Sequence, residues 1–181
     1  MRVIGGDFKG HKLVTVAGDI SRPVSGMLKG MIFNVIRPHV EEAKVLDVCC
    51  GCGTLGVEAL SQGASHVTFI EEDRKALIAL EKNLLQCRMT DRSTVLPGDA
   101  ERRLHRWFPG HDIDLVFFDP PYKSNLYDPI MHILGTVPWL ADSVVIVAEH
   151  LRSHDLPETY GSLHSYRRLV YSTSAVTLYS R

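Results

Sequence analysis

The sequence contains no uninterrupted apolar stretch of the roughly 18 residues that a membrane-crossing helix requires, so a membrane role is not expected. Its opening residues lack the basic, apolar and small-residue order of a secretory leader, and a cytoplasmic location is the expectation. Cysteine is scarce, and three of the four crowd at Cys49, Cys50 and Cys52. That crowding excludes a spaced disulfide framework and agrees with a reducing compartment. No internal repeat, low-complexity tract or linker interrupts the 181 residues, a length that fits one domain, 1–181, and a monomer. A strong net charge is missing too: the total is -1, which by itself announces no polyanionic partner. The average hides an asymmetry, because residues 1–40 carry +4 and the remainder -5. A basic end on a near-neutral body steers polyanions, with Lys9, Lys12 and Arg22 as candidate contacts.

The stretch KVLDVCCGCGTLGVEALSQGA, 44–64, is a short apolar strand, a glycine turn and a small-residue helix. Gly51, Gly53 and Gly56 allow a sharp turn and let a ligand lie against the amides at the helix start. The spacing matches GxGxxG, which nicotinamide, flavin and S-adenosylmethionine sites share. Before this stretch, 2–16 holds two short β-prone runs broken by glycines, predicting a hairpin. Val24, Met27, Leu28, Met31, Ile32 and Val35 then repeat at helical spacing and predict a core-facing helix with Ser25 as N-cap, covering one edge of the ligand site. Residues 1–43 thus form an extension to a core over 44–181.

Within the core, strands are predicted at 44–49, 66–71, 93–97, 113–118 and 143–149, alternating with helices at about 54–62, 74–87, 100 to near 109, and one capped by Asp128 with Pro129 in its first turn. Runs 164–172 and 175–180 predict an antiparallel closing hairpin. The expectation is an α/β Rossmann-like fold: a mostly parallel seven-stranded sheet, helices on both faces, an antiparallel C-terminal hairpin and the small N-terminal hairpin-and-helix extension.

Each strand ends in a polar signature, and in a parallel sheet those ends converge on one crevice. Glu71, twenty residues past Gly51, is placed to accept ribose hydroxyls, while Asp73 fits a helix cap. Asp99 can accept from an adenine amine beside the Ala100 amide, or can simply cap the next helix. DPPY, 119–122, carries the sharpest signal. Its two prolines fix the backbone after a buried strand, so that Asp119 and the Pro120 carbonyl accept the two hydrogens of a planar amine, with Pro121 beside them and Tyr122 stacking on the base. Three other readings remain open from these residues: a nicotinamide-dependent dehydrogenase, a thiol or metal protein built on the Cys49–Cys52 CxxC pair, and a degenerate fold that only binds RNA or a protein partner.

Taken together, MRVIGGDFKGHKL, LDVCCGCGTLGVEALSQGA, FIEEDRKA, GDA, FFDPPY and the closing LYSR resemble the class I S-adenosylmethionine methyltransferases, specifically the RsmD-type enzymes that methylate a guanine N2 in bacterial 16S ribosomal RNA. The resemblance spans essentially the whole chain. It implies S-adenosylmethionine as cofactor, with Asp47, Gly51 and Gly53 at its methionyl part, Glu71 at its ribose, Asp99 and Ala100 at its adenine, and no metal. It implies Asp119, Pro120 and Tyr122 as the catalytic group on the target base, and ribosomal RNA, free or within a small subunit or assembly intermediate, as the partner. The same DPPY serves adenine N6 and cytosine N4. The turn departs from the usual Phe-Ala-Gly-Ser-Gly by its cysteines, and the N-terminal helix has Gly26, Met27 and Gly30 where charged residues are usual.

Overall fold

A computed structural model describes residues 1–16, 26–107, 110, 112–122 and 124–181. Helices α1 (Gly26–Ile36), α2 (Thr54–Ser61), α3 (Arg74–Gln86), α4 (Ala100–Arg106) and α5 (Tyr127–Leu134) alternate with strands β1 (Lys44–Val48), β2 (His66–Glu71), β3 (Ser93–Pro97), β4 (Ile113–Phe118) and β5 (Leu140–Leu151), and β6 (Thr159–Tyr160), β7 (Leu163–Tyr171) and β8 (Ser174–Ser180) close the chain. They form one sheet in the order β3-β2-β1-β4-β5-β8-β7-β6. The first five strands are mutually parallel and β8 returns antiparallel to β5. The seven expected strands are present, with the two-residue β6 added at the edge.

The period-two alternation of a strand assigns every side chain to one of two apolar layers. Val45, Leu115, Phe117, Val145 and Val147 pack with α1, α2 and α3, whereas Leu46, Val48, Val116, Phe118 and Ile146 pack with α4 and α5. Burial on both faces explains why β4 is apolar apart from Asp114, whose carboxylate accepts the Lys44 amide at 2.9 Å. Because β1 leads outward to β2 while β4 lies on its other side, the crevice opens at their carboxyl ends.

The N-terminal segment is joined less by strand pairing than by side chains. The expected hairpin is short: one bridge joins Arg2 with Lys12, and the Val3 amide donates to the His11 carbonyl and the Leu13 amide to the Met1 carbonyl, both at 3.0 Å. Glu58 of α2 accepts from the Ile4 and Gly5 amides at 2.9 and 2.8 Å and pairs with Lys29 of α1 at 2.7 Å, both side chains fully buried. Lys29 in turn donates to the Arg2 carbonyl. Asn83 of α3 bonds Val14 through both amide atoms and also donates to the Cys52 carbonyl, linking this segment to the glycine turn.

Two details differ from the expectations. The buried stripe of α1 runs through Leu28, Ile32, Phe33 and Ile36, with Phe33 against Phe117, so Met27 is left exposed on the far side. Helix α5 begins at Tyr127, which places Asp128 and Pro129 inside its first turn; the Asp128 carboxylate accepts from the Tyr160 hydroxyl instead of capping. Ser25 and Val24 lie outside the described residues.

Candidate active site

The strand ends converge as expected on a cavity of about 270 Å³ whose wall includes Gly51, Glu71, Asp99, Ala100, Asp119 and Pro121. The glycine turn forms its floor. Gly53 sits at φ 76°, where a Cβ would fall 2.4 Å from a Leu80 methyl, so this corner accepts only glycine. Glu71, at the tip of β2, ties the turn down. One of its oxygens accepts the Gly51 amide at 2.7 Å and the other accepts the amides of Glu72 and Asp73. A carboxylate keeps acceptor capacity after three such bonds, and Glu71 lines the cavity. Asp73 caps α3 through the Ala76 amide, as its position suggested. Asp99 caps α4 through the Arg102 amide, one of the two roles expected of it, and also lines the cavity.

Asp47 is placed differently. Period two puts it on the same face as Val45, toward α2, where its carboxylate accepts the Gly56 amide at 2.9 Å in full burial. It is not part of the cavity wall, nor is Gly53; both shape the turn from beneath. Burial raises the Asp47 carboxyl to about 7, opposed by the Gly56 amide and helped by the Glu71 charge.

The acceptor end of the crevice holds a group that sequence inspection reached only in part. Asp119 follows β4 directly, and the register that pairs Phe117 with Val147 brings Glu149 of β5 alongside it on the same face. Glu149 is 2% exposed. One of its oxygens accepts from the Tyr122 hydroxyl at 2.8 Å, and Tyr122 also meets the Ser174 hydroxyl at 2.7 Å. The other oxygen is buried without a partner among the described residues. Desolvation, then the Glu149 charge and then Asp47, raise the Asp119 carboxyl well above the ordinary carboxylate range. Glu149 itself is pushed up to about 7 by burial, against the pull of the Tyr122 and Ser174 hydroxyls. Two neighbouring buried carboxyls disfavour double ionisation, so the pair titrates as a unit. Tyr122 is therefore anchored by its hydroxyl, and its orientation is set by Glu149. The signal for Glu149 was present: the run 143–149 expected as strand five ends in this acid, and β5 continues two residues beyond it to Leu151.

Ser124, unremarked in the sequence, also lines the cavity with a buried hydroxyl that has no partner among the described residues. Lys9 and Lys12 are exposed on the N-terminal loop, away from the cavity wall, and Arg22 lies outside the described residues. No residue of α1 belongs to the wall, so the expected cover over one edge is not among the described contacts.

The lining chemistry discriminates among ligands. Glu71, Glu72, Asp73, Asp99 and Asp119 face the cavity, and no lysine or arginine does among the described residues. A dinucleotide pyrophosphate would be repelled there, whereas a ligand with cationic centres, ribose hydroxyls and an exocyclic amine finds acceptors. Charge also counts against the thiol reading at the first cysteine of the Cys49–Cys52 pair. Burial and the neighbouring carboxylates push the Cys49 and Cys50 thiols up, the opposite of what a nucleophile or metal ligand needs.

Comparison with known proteins agrees with this geometry. Residues 1–180 match the family described as conserved hypothetical protein 95. The chain is 37% identical over 187 residues to YlbH of Bacillus subtilis, covering 100% of this chain and 99% of that protein. It is 33% identical over 181 residues to the ribosomal RNA small subunit methyltransferase D of Escherichia coli K12, covering 100% of this chain and 90% of the relative. The solved structure of the Escherichia coli protein yhhF superposes with a TM-score of 0.88 at 31% identity, covering 100% of this chain and 97% of that one.

Proposed function

The chain belongs to the conserved hypothetical protein 95 family, the RsmD-type class I methyltransferases, and from that premise we propose that it transfers a methyl group from S-adenosylmethionine to the exocyclic N2 of a guanine in 16S ribosomal RNA. The observation that carries the acceptor assignment is the buried Asp119–Glu149 pair behind DPPY, with Tyr122 held by Glu149.

S-adenosylmethionine supplies an electrophilic methyl group on a sulfonium centre. The carboxylate-lined cavity fits that cation, and its residues divide the work. Gly51 and the turn shaped by Asp47 and Gly53 would hold the methionyl part, Glu71 the ribose, and Asp99 with the Ala100 amide the adenine. Asp119 and the Pro120 carbonyl accept the two hydrogens of the target amine, favouring a more tetrahedral nitrogen whose lone pair is free to attack. Pro121 forms the rim, and Tyr122 presents its ring to the base. The raised affinity of the Asp119–Glu149 pair for protons suits Asp119 to take up the one that the methylated nitrogen sheds. A base inside a duplex could not reach Asp119, so the target enters unpaired or flipped.

The planar-amine geometry is common to guanine, adenine and cytosine; the resemblance to the RsmD-type enzymes supports the guanine reading. Lys9, Lys12 and Arg22 are the N-terminal RNA contacts in this reading, and the cytoplasm is its location. Asp119→Ala tests it. Turnover on ribosomal RNA should fall about 100-fold or more, with cofactor affinity retained. Near-normal turnover would remove DPPY from the chemistry.

A further inference from the structure

Helix α4 carries Arg102, Arg103, His105 and Arg106 within seven residues. The three arginines, with Leu96 and Trp107, wall a second groove of about 400 Å³ that shares Gly98 and Asp99 with the cofactor cavity. We propose that this groove binds the single-stranded RNA flanking the target base, with Arg102 and Arg106 on its phosphates and Trp107 against an unpaired base.

The arginines are not absorbed by the fold. Arg103 is fixed, its Nε and a terminal nitrogen both donating to the Pro97 carbonyl. Arg102 and Arg106 form no ion pair among the described residues, although Arg102 also borders a recess with Glu72 and Glu101. They stand four apart on one side of the helix. A helix dipole accounts for basic residues in the last turn of α4, but Arg102 lies in the first turn, where a cation is disfavoured. The dipole therefore does not explain the cluster, and phosphate charge complements it.

The aromatic part points the same way. Trp107 packs edge-on against Trp139 at 5.2 Å and keeps part of its surface open in the groove. Arginines beside an indole and an aliphatic floor are what an unstacked nucleotide uses, since its base needs a flat apolar face and its phosphate a guanidinium. Because the groove begins where the cofactor cavity ends, a strand delivering its base to Asp119 can continue along α4. The inference rests on the RNA reading of the active site.

The test is a salt titration of binding to a fluorescein-labelled small-subunit rRNA fragment, comparing wild type with Arg102→Gln/Arg106→Gln. Losing two phosphate contacts should reduce the slope of log affinity against log salt by about 1.4 to 1.8. Over a fourfold salt range the wild type then loses about 7 to 12 times more affinity than the variant. S-adenosylmethionine binding by calorimetry should be unchanged, which separates lost RNA contacts from a misfolded protein. An unchanged slope in the variant overturns the groove while leaving the methyltransferase reading intact. An unchanged slope on free RNA with activity lost only on assembled particles would reassign the groove to a ribosomal protein and equally overturn the inference. A wild type with no affinity for the fragment overturns the groove as a site for free RNA, whereas the methyltransferase reading falls only if small subunits also go unmethylated.

Discussion

Replacing Glu149 by glutamine should change how stability depends on pH more than it changes stability itself. The Glu149 carboxyl is buried and raised from 4.5 to about 7. A carboxyl whose folded value exceeds its unfolded value binds its proton more tightly when folded. Its stabilising contribution is complete below pH 4.5 and is lost as pH rises toward and through 7. A difference of about 2.5 units at 1.36 kcal/mol each corresponds to about 3 kcal/mol between pH 4.5 and pH 8. Glutamine keeps the acceptor for Tyr122 and cannot ionise, so it removes this loss. It also removes the repulsion that raises Asp119, which acts in the same direction. The amide's own cost, about 1–3 kcal/mol for any buried unpaired hydrogen, is independent of pH and drops out of the comparison. Urea denaturation of both proteins at pH 4.5 and pH 8 gives four unfolding free energies. The wild type should lose about 3 kcal/mol more than Glu149→Gln between the two pH values. Equal losses would mean that Glu149 is not a buried, proton-holding partner of Asp119.

Lys29→Met should lower the unfolding free energy by about 3–5 kcal/mol, because it strands the Glu58 carboxylate in full burial; urea denaturation measures this, and a change under 1 kcal/mol would contradict it. Glu71→Ala removes the acceptor of the Gly51, Glu72 and Asp73 amides as well as the proposed ribose contact. Calorimetry should show cofactor affinity at least about tenfold weaker, from charged hydrogen bonds of about 1.5–3 kcal/mol. Gly56→Ala would place a Cβ 2.3 Å from the Phe69 ring and 2.9 Å from the Asp47 carboxylate. The overlap costs about 1–3 kcal/mol, against a helix-propensity gain of about 0.8 kcal/mol, so thermal unfolding should show a lower Tm.

Most of the architecture was legible because each element carries a local signal. Strand β4 declares itself as a run, IDLVFF, that is apolar but for Asp114 and is closed by DPPY, and α2 by the glycine turn before it and Gly63 after it. The less legible parts depend on register and on contacts between distant segments. Whether Asp47 faces the ligand or helix α2 is decided by strand parity, which places it under the turn with Val45. The partnership of Asp119 with Glu149 needs the β4–β5 register, since the two lie 30 residues apart. The N-terminal hairpin stays short because Glu58, Ser61 and Asn83 take the amides of Ile4, Gly5, Phe8 and Val14 that longer strand pairing would use. Met27 is exposed because Phe33 and Ile36 widen the buried stripe of α1 away from it.

The central claim is that Asp119 and its neighbours present a guanine amine of small-subunit RNA for methylation. Its most direct test incubates the protein with S-adenosylmethionine and ribosomal RNA or small subunits from a strain lacking it, then digests the RNA to nucleosides for mass spectrometry. The account predicts new N2-methylguanosine with the wild type and none with Asp119→Ala. Methyl groups on another nucleoside, or no methylation on either free RNA or subunits, would contradict it.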